Sequence, residues 1–258
     1  MAVAQMSTSV AQASPGDGPT DFSSSFETGQ PQPTWTSTLE ADSKGVTKAW
    51  GVTMTTTVGS GPSNGYNIRP QVGWTGVASL HYAGRQSTAQ EGWAYDKLYD
   101  VDIPVTSTTE LSYMVFPEAT SGDSSDPSTY AAVDLAFTDG TYLSDLAAVD
   151  QHGKTLSPRG QGASNVLYVD QWNHEVSGIG AVAAGKTIDR ILVGYDKPTG
   201  PADFSGWLDD IAVTAAPVHN TSTHPSDHVI TTRGTNAGSS FSRGNNFPAT
   251  AVPHGFNF

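Results

Sequence analysis

The chain has 258 residues, of which 36% are apolar and 14% charged, and carries a formal net charge of −13. That balance repels phosphate backbones and anionic bilayers, so it argues against nucleic acid and membrane partners and for neutral polar ligands or cations. Cysteine is absent, which excludes disulfides, thiolate metal sites and a cysteine nucleophile, and no run of about 18 apolar residues exists to span a bilayer.

Residues 1–20 fall outside the predicted fold. They read either as a disordered tail or as a signal-peptide remnant, in which Ala11-Gln12-Ala13 resembles a signal-peptidase site. From about Phe22 to Val213 apolar and polar residues alternate with period two, the pattern of half-buried strands. Phe22, Ser24 and Phe26 share a face. Tyr99, Val101, Ile103 and Val105 alternate with Asp100, Asp102 and Pro104, and Leu111, Tyr113 and Val115 follow the same rule. Val133, Leu135 and Phe137 run into Asp139-Gly140, a dipeptide that favours a hairpin turn. Tyr142 follows, with room for a helical turn between Tyr142 and Val149. Further strands are predicted at 166–170, 188–195 and 207–213, separated by Gly- and Pro-bearing connections. Many short strands and no long helical period predict an all-β fold, an antiparallel β-sandwich over residues 21–215. The alternation fails in AAPVHNTSTHPS, so residues 216–226 are read as a linker.

The last strand poses a chemical problem. Trp207, Asp209, Ile211 and Val213 share a phase, so either Asp209 points into an apolar face or the register frays and it is a surface residue. A buried carboxylate needs compensation, and no Lys or Arg adjoins it in sequence. A hard cation with oxygen ligands, Ca²⁺ above all, is one solution. The six tryptophans offer apolar faces to sugar rings. Trp207 reads as core, whereas Trp93 and Trp172 lie among polar residues and are the candidate exposed carbohydrate-binding platforms. The string Trp172-Asn173-His174-Glu175 reads as a mixed polar loop rather than a metal or acid–base cluster. Asp123 and Asp126 lack calcium-loop spacing, and the histidines lack zinc-site spacing.

Four segments, FSSSFETG, SLHYAG, GKTIDRILVGYDKP and GWLDDIAV, resemble a galactose-binding-like jelly roll of the kind found in carbohydrate-binding modules. The resemblance covers roughly residues 21–215. It implies a structural Ca²⁺ held by the opening acidic residue and the closing Asp, here Glu27 and Asp209, with Asp210 as neighbour.

Residues 227–258 resemble the start of the N-terminal domain of glycoside hydrolase family 92. They carry Gly234-Thr235, then Phe247-Pro248-Ala249, then Pro253-His254-Gly255-Phe256. Many members have Phe where His254 stands, a departure that leaves open a subgroup of different specificity. The resemblance implies the truncated start of a second β-sandwich domain in a calcium-dependent, inverting exo-α-mannosidase. Its acid and base come from an (α/α)6 barrel that this chain lacks. No catalytic residue is therefore expected here, and the missing C-terminal catalytic domain is an expected partner. Arg233 and Arg243 either donate to sugar hydroxyls or pair with local acids. His254 is either a hydrogen-bonded turn residue or a ligand contact. Together these readings make the chain the N-terminal fragment of a secreted bacterial glycosidase that binds mannose-containing glycans. The alternative is a stand-alone carbohydrate-binding module or a structural spacer without catalytic role.

Overall fold

A computed structural model describes residues 21–34, 49–63, 70–120 and 122–217. The chain divides after Pro217 into two units, and the description concerns the first. The predicted tail, most of the linker, the predicted second domain, Arg243 and His254 lie outside the described residues.

The described residues form ten strands: β1 (Asp21–Ser24), β2 (Ala49–Trp50), β3 (Val52–Gly59), β4 (Ser79–Gln86), β5 (Gly92–Pro104), β6 (Glu110–Pro117), β7 (Ala131–Phe137), β8 (Asn173–Ser177), β9 (Thr187–Lys197) and β10 (Ala202–Thr214). They build two antiparallel sheets. In the first the order is β3-β4-β10-β6-β8, and β1 pairs with the end of β10 that β4 leaves free. The second runs β2-β5-β9-β7. The fold is an all-β sandwich, as the alternation predicts.

The period-two pattern sorts residues between core and solvent. In β3, Val52, Met54 and Thr56 are buried while Thr53, Thr55 and Thr57 are exposed, the arrangement that β-branched residues suit. Leu111, Tyr113 and Val115 of β6 and Leu208, Ile211 and Val213 of β10 face a core shared with Tyr99, Ile103, Val133, Leu135, Ile191 and Val193 of the second sheet. Tyr195 and Phe204 stack across it at 3.7 Å. The Tyr82 hydroxyl, buried with its ring, donates to Ser128 O at 3.0 Å.

Three local expectations need correction. Residues 166–170 form no strand. Instead a short helix, α1 (Pro158–Ser164), precedes them, with Pro158 in its first turn and the Ser157 side chain accepting from Gly160 N at its start; Asn165 in the left-handed region ends it. The string beginning at Trp172 is not all loop, because Asn173–Ser177 is the edge strand β8, paired with β6. In β10 the phase is not continuous. The β6–β10 register shifts between Asp209 and Ala212, with Asp210 at φ 48°. Phe204 and Leu208 face inward before this bulge, Ile211 and Val213 after it, and Trp207 is left on the outer face, half-buried. A bulge adds a residue and reverses which side follows, so Trp207 is not a core residue. The Asp139-Gly140 reversal forms as expected, and a 3₁₀ turn at Leu143–Leu146 follows it.

Candidate binding groove

The outer face of the first sheet carries an open groove of about 510 Å³. Its floor is Ser112 and Met114 of β6, Ala212 of β10 and Ser23 of β1. Trp74 and Trp172 form walls, and Asp210 and His174 supply polar groups. The two tryptophans reach the floor from different sides: Trp74 lies in the loop before β4, which flanks β10, and Trp172 precedes β8, which flanks β6.

Each wall is held by a local device. The Trp74 loop is clamped by carboxylates. Glu27 Oε1 accepts from Val77 N and Ala78 N, both at 2.6 Å. Asp209 Oδ2 accepts from Thr75 N at 3.0 Å, and Asp210 Oδ2 accepts from the Thr75 hydroxyl at 2.7 Å. Close approach requires glycine: a Cβ on Gly73 would lie 2.6 Å from Asp209 Oδ2, and one on Gly76, at φ +74°, 2.3 Å from Glu27 Oε1. The clamp leaves Trp74 57% exposed. The Trp172 loop is organised by Asn173, whose side chain accepts from Tyr168 N and donates to Tyr168 O and Gln171 O, all at 2.9 Å. Trp172 meets Phe116 edge-on at 5.5 Å, and its indole N–H has no partner among the described residues.

The predicted metal residues thus come together on one loop. Asp209 is fully buried, and burial pushes its carboxyl up to about 7 against the amides that hydrogen-bond to it. The described residues contain no group of three acidic or histidine side chains arranged to hold a metal. Trp93 lies elsewhere, on the second sheet, half-buried, paired across strands with Trp50 and tilted against Tyr95 at 6.3 Å.

A second cluster shares the outer face of the first sheet. The His81 ring packs on Trp207 at 4.5 Å, and Nε2 lies 3.0 Å from Ser205 Oγ. Ser205 donates its hydroxyl to Glu118, and Trp207 Nε1 donates to the same carboxylate at 3.0 Å. The His81 imidazole, 3.9 Å away, and the hydrogen bonds from Ser205 and Trp207 hold the Glu118 carboxyl down at about 2. Sequence reasoning missed Trp74, Met114, His174 and this cluster. The signal lay in the neighbours of Trp74: two glycines in Gly73-Trp74-Thr75-Gly76 mark a loop that approaches other atoms closely.

Chemically, the groove offers apolar ring faces beside hydroxyl, imidazole and carboxylate groups. Glycoside hydrolysis usually needs two carboxyl groups about 5–10 Å apart across the scissile bond. Asp210 is the single carboxylate among the described residues that line this groove.

No family model matches the chain, and no curated protein matches it. Solved structures similar to it include the glycoside hydrolase domain of Endo-D from Streptococcus pneumoniae R6, with TM-score 0.40 and 17% identity over 77% of this chain. A carbohydrate-binding module described as promiscuous in specificity and of the β-sandwich superfamily gives 0.35 and 14% over 68%. An exo-β-agarase gives 0.31 and 10% over 67%. The chain spans 28%, 59% and 23% of those three chains. The reading of the groove rests on its own geometry.

Proposed function

We propose that this unit is a carbohydrate-binding domain without catalytic groups of its own, and that its ligand lies between Trp74 and Trp172. The observation that carries this reading is the pair of indoles set by unrelated local devices beside one groove, with Met114 beneath and Asp210 and His174 within reach of hydroxyls. Sugars present apolar C–H faces and polar edges, and such a site meets both. The finer reading is that the ligand is a mannose-containing glycan and the whole protein a secreted bacterial exo-α-mannosidase whose acid and base lie in another domain. Its support is the resemblance of residues 227–258 to glycoside hydrolase family 92.

A structural Ca²⁺ at Glu27 and Asp209, with Asp210 beside them, belongs to the same reading. Its support is the resemblance and one observation: Glu27, Asp209 and Asp210 all hold the Trp74 loop, and among the described residues no cationic side chain pairs with the buried Asp209, although Glu27 Oε1 and both Asp209 oxygens already accept backbone N–H groups. Bound there, the ion would supply charge neutralisation and fix the loop that carries Trp74.

Titration calorimetry with mannose oligosaccharides tests the ligand. Trp74→Ala and Trp172→Ala are each expected to weaken binding roughly 30-fold, the effect of losing about 2 kcal/mol at an aromatic anchor. Unchanged affinity in both variants, or no binding to any neutral glycan on an array, overturns the proposal. Equal calcium content in the wild type and Asp209→Asn after equilibrium dialysis overturns the metal assignment.

A further inference from the structure

A second, enclosed polar cluster lies under the β8 edge, away from the groove. Glu175 is 2% exposed and stands opposite Tyr113 in the β6–β8 pairing. The segment around Asp150 is fastened along the same strand. Ser177 Oγ donates to Val149 O at 2.8 Å, Gln151 Oε1 accepts from Val176 N at 2.8 Å, and Gln151 Nε2 donates to His174 O at 2.6 Å. This sets the buried Asp150 close enough to Glu175 for its charge to be felt there. Asp150 Oδ1 accepts from His152 N at 2.8 Å and Lys154 N at 2.9 Å, and Oδ2 accepts from Gln161 Nε2 of α1 at 2.9 Å. Gln161 is fully buried.

Three buried oxygens of this cluster have no partner among the described residues: Glu175 Oε2, Gln161 Oε1 and Tyr113 Oη. Among the described residues no donor reaches Glu175 Oε2. Buried polar atoms are nearly always satisfied, so an enclosed carboxylate oxygen without a donor calls for a partner. Burial first, and the Asp150 charge second, push the Glu175 carboxyl up to about 8. A proton on Glu175 relieves the charge and adds one donor, yet Asp150 keeps its own. A divalent cation balances both carboxylates and takes Glu175 Oε2 and Gln161 Oε1, which no donor among the described residues faces.

We propose that a Ca²⁺-class cation sits between Glu175 Oε2, Asp150 and the Gln161 amide oxygen, with the Tyr113 hydroxyl donating to a ligand oxygen. Two carboxylates balance its charge, and the carboxylate and amide oxygens suit its loose geometry. The ion ties α1 and the Asp150 turn to β8, the strand that follows Trp172 and bears His174. This site is separate from Glu27 and Asp209, and it stands whether or not that site holds metal.

The test counts metal. The full chain is stripped by chelating resin, dialysed against calcium and assayed for calcium per chain. Glu175→Gln is expected to bind one calcium fewer than the wild type, and Glu27→Gln to retain that ion. In the Glu27→Gln/Asp209→Asn background, calcium is expected to raise the melting temperature still, and adding Glu175→Gln is expected to abolish the rise. If Glu175→Gln folds poorly, Gln161→Leu serves in its place. Equal calcium content in wild type and Glu175→Gln, or no calcium effect on melting in the double variant, overturns the proposal.

Discussion

Asp134→Asn is expected to stabilise the protein at neutral pH although it removes a hydrogen-bonded charge. Asp134 sits in β7 at 1% exposure. Its Oδ1 accepts from Leu135 N at 2.8 Å and Ser144 N at 3.1 Å, and Oδ2 accepts from the Ser144 hydroxyl at 2.6 Å. Burial outweighs these donors and raises the carboxyl from 3.8 to about 6. A raised folded-state pKa contributes stability that is fully present below pH 3.8 and lost as pH rises to about 6. That rise in pKa corresponds to about 3 kcal/mol at pH 7.5. Asn keeps an oxygen for the two amides, and its N–H₂ can donate to a rotated Ser144 hydroxyl. The variant should therefore match the wild type near pH 3.5 and exceed it by up to about 3 kcal/mol at pH 7.5, roughly 6–12 °C in melting temperature for a unit of this size. Urea denaturation at both pH values measures the difference, and subtraction cancels other groups, including Glu175. A variant-minus-wild-type difference that is flat with pH, or negative at pH 7.5, refutes the reasoning.

Other outcomes follow from the same geometry. Glu118 is depressed to about 2, so its contribution is present above pH 4.5 and lost as pH falls toward 2; Glu118→Gln should destabilise by about 1–2 kcal/mol at pH 7 and by nothing near pH 2, read by urea melts. Gly73→Ala places a methyl 2.1 Å from Ala78 O, so it should cost about 1–3 kcal/mol and weaken glycan binding together, seen by denaturation and calorimetry. Phe204→Ala removes the stack on Tyr195 and should cost about 3–5 kcal/mol while leaving the groove residues unchanged, measured by guanidinium denaturation.

Strands whose inward face is continuous were legible, because burial on one side imposes the period. Val52, Met54 and Thr56 in β3 are buried between exposed threonines as the alternation requires, whereas β7 is buried along its whole length, so its alternation does not come from a solvent face. Two kinds of feature were not. Residues 166–170 look like a strand because Val166-Leu167-Tyr168-Val169 is a short run of β-favouring apolar residues, but the Asn173 side chain takes the Tyr168 backbone groups that a ladder would use. Trp207 looks inward because it shares odd parity with Ile211, and a bulge cannot be counted from composition. Trp74 was passed over since its exposure depends on Glu27 and Asp209, far away in sequence. Trp172 was found as a polar-context aromatic, and the structure adds the groove beside it.

One irregularity in β10 does most of the work of shaping the outer face. Without the extra residue, Asp209 would keep the parity of Trp207, and the strand could not present Trp207 outward and still bury Ile211 and Val213. With it, Asp209 is enclosed where its oxygens meet Thr75 N and Asp210 N, and Asp210, left-handed at φ 48°, turns to the Thr75 hydroxyl and the groove. The same two residues thus tether the loop bearing Trp74 and contribute to the floor's polar margin. The bulge also sits beyond the end of the β4 pairing, where β1 takes over as neighbour and brings Ser23 to the groove. Sequence around such a bulge answers to the site as well as to the core. This is why the consecutive pair Asp209-Asp210, awkward for a strand that alternates, is intelligible once the groove is in view.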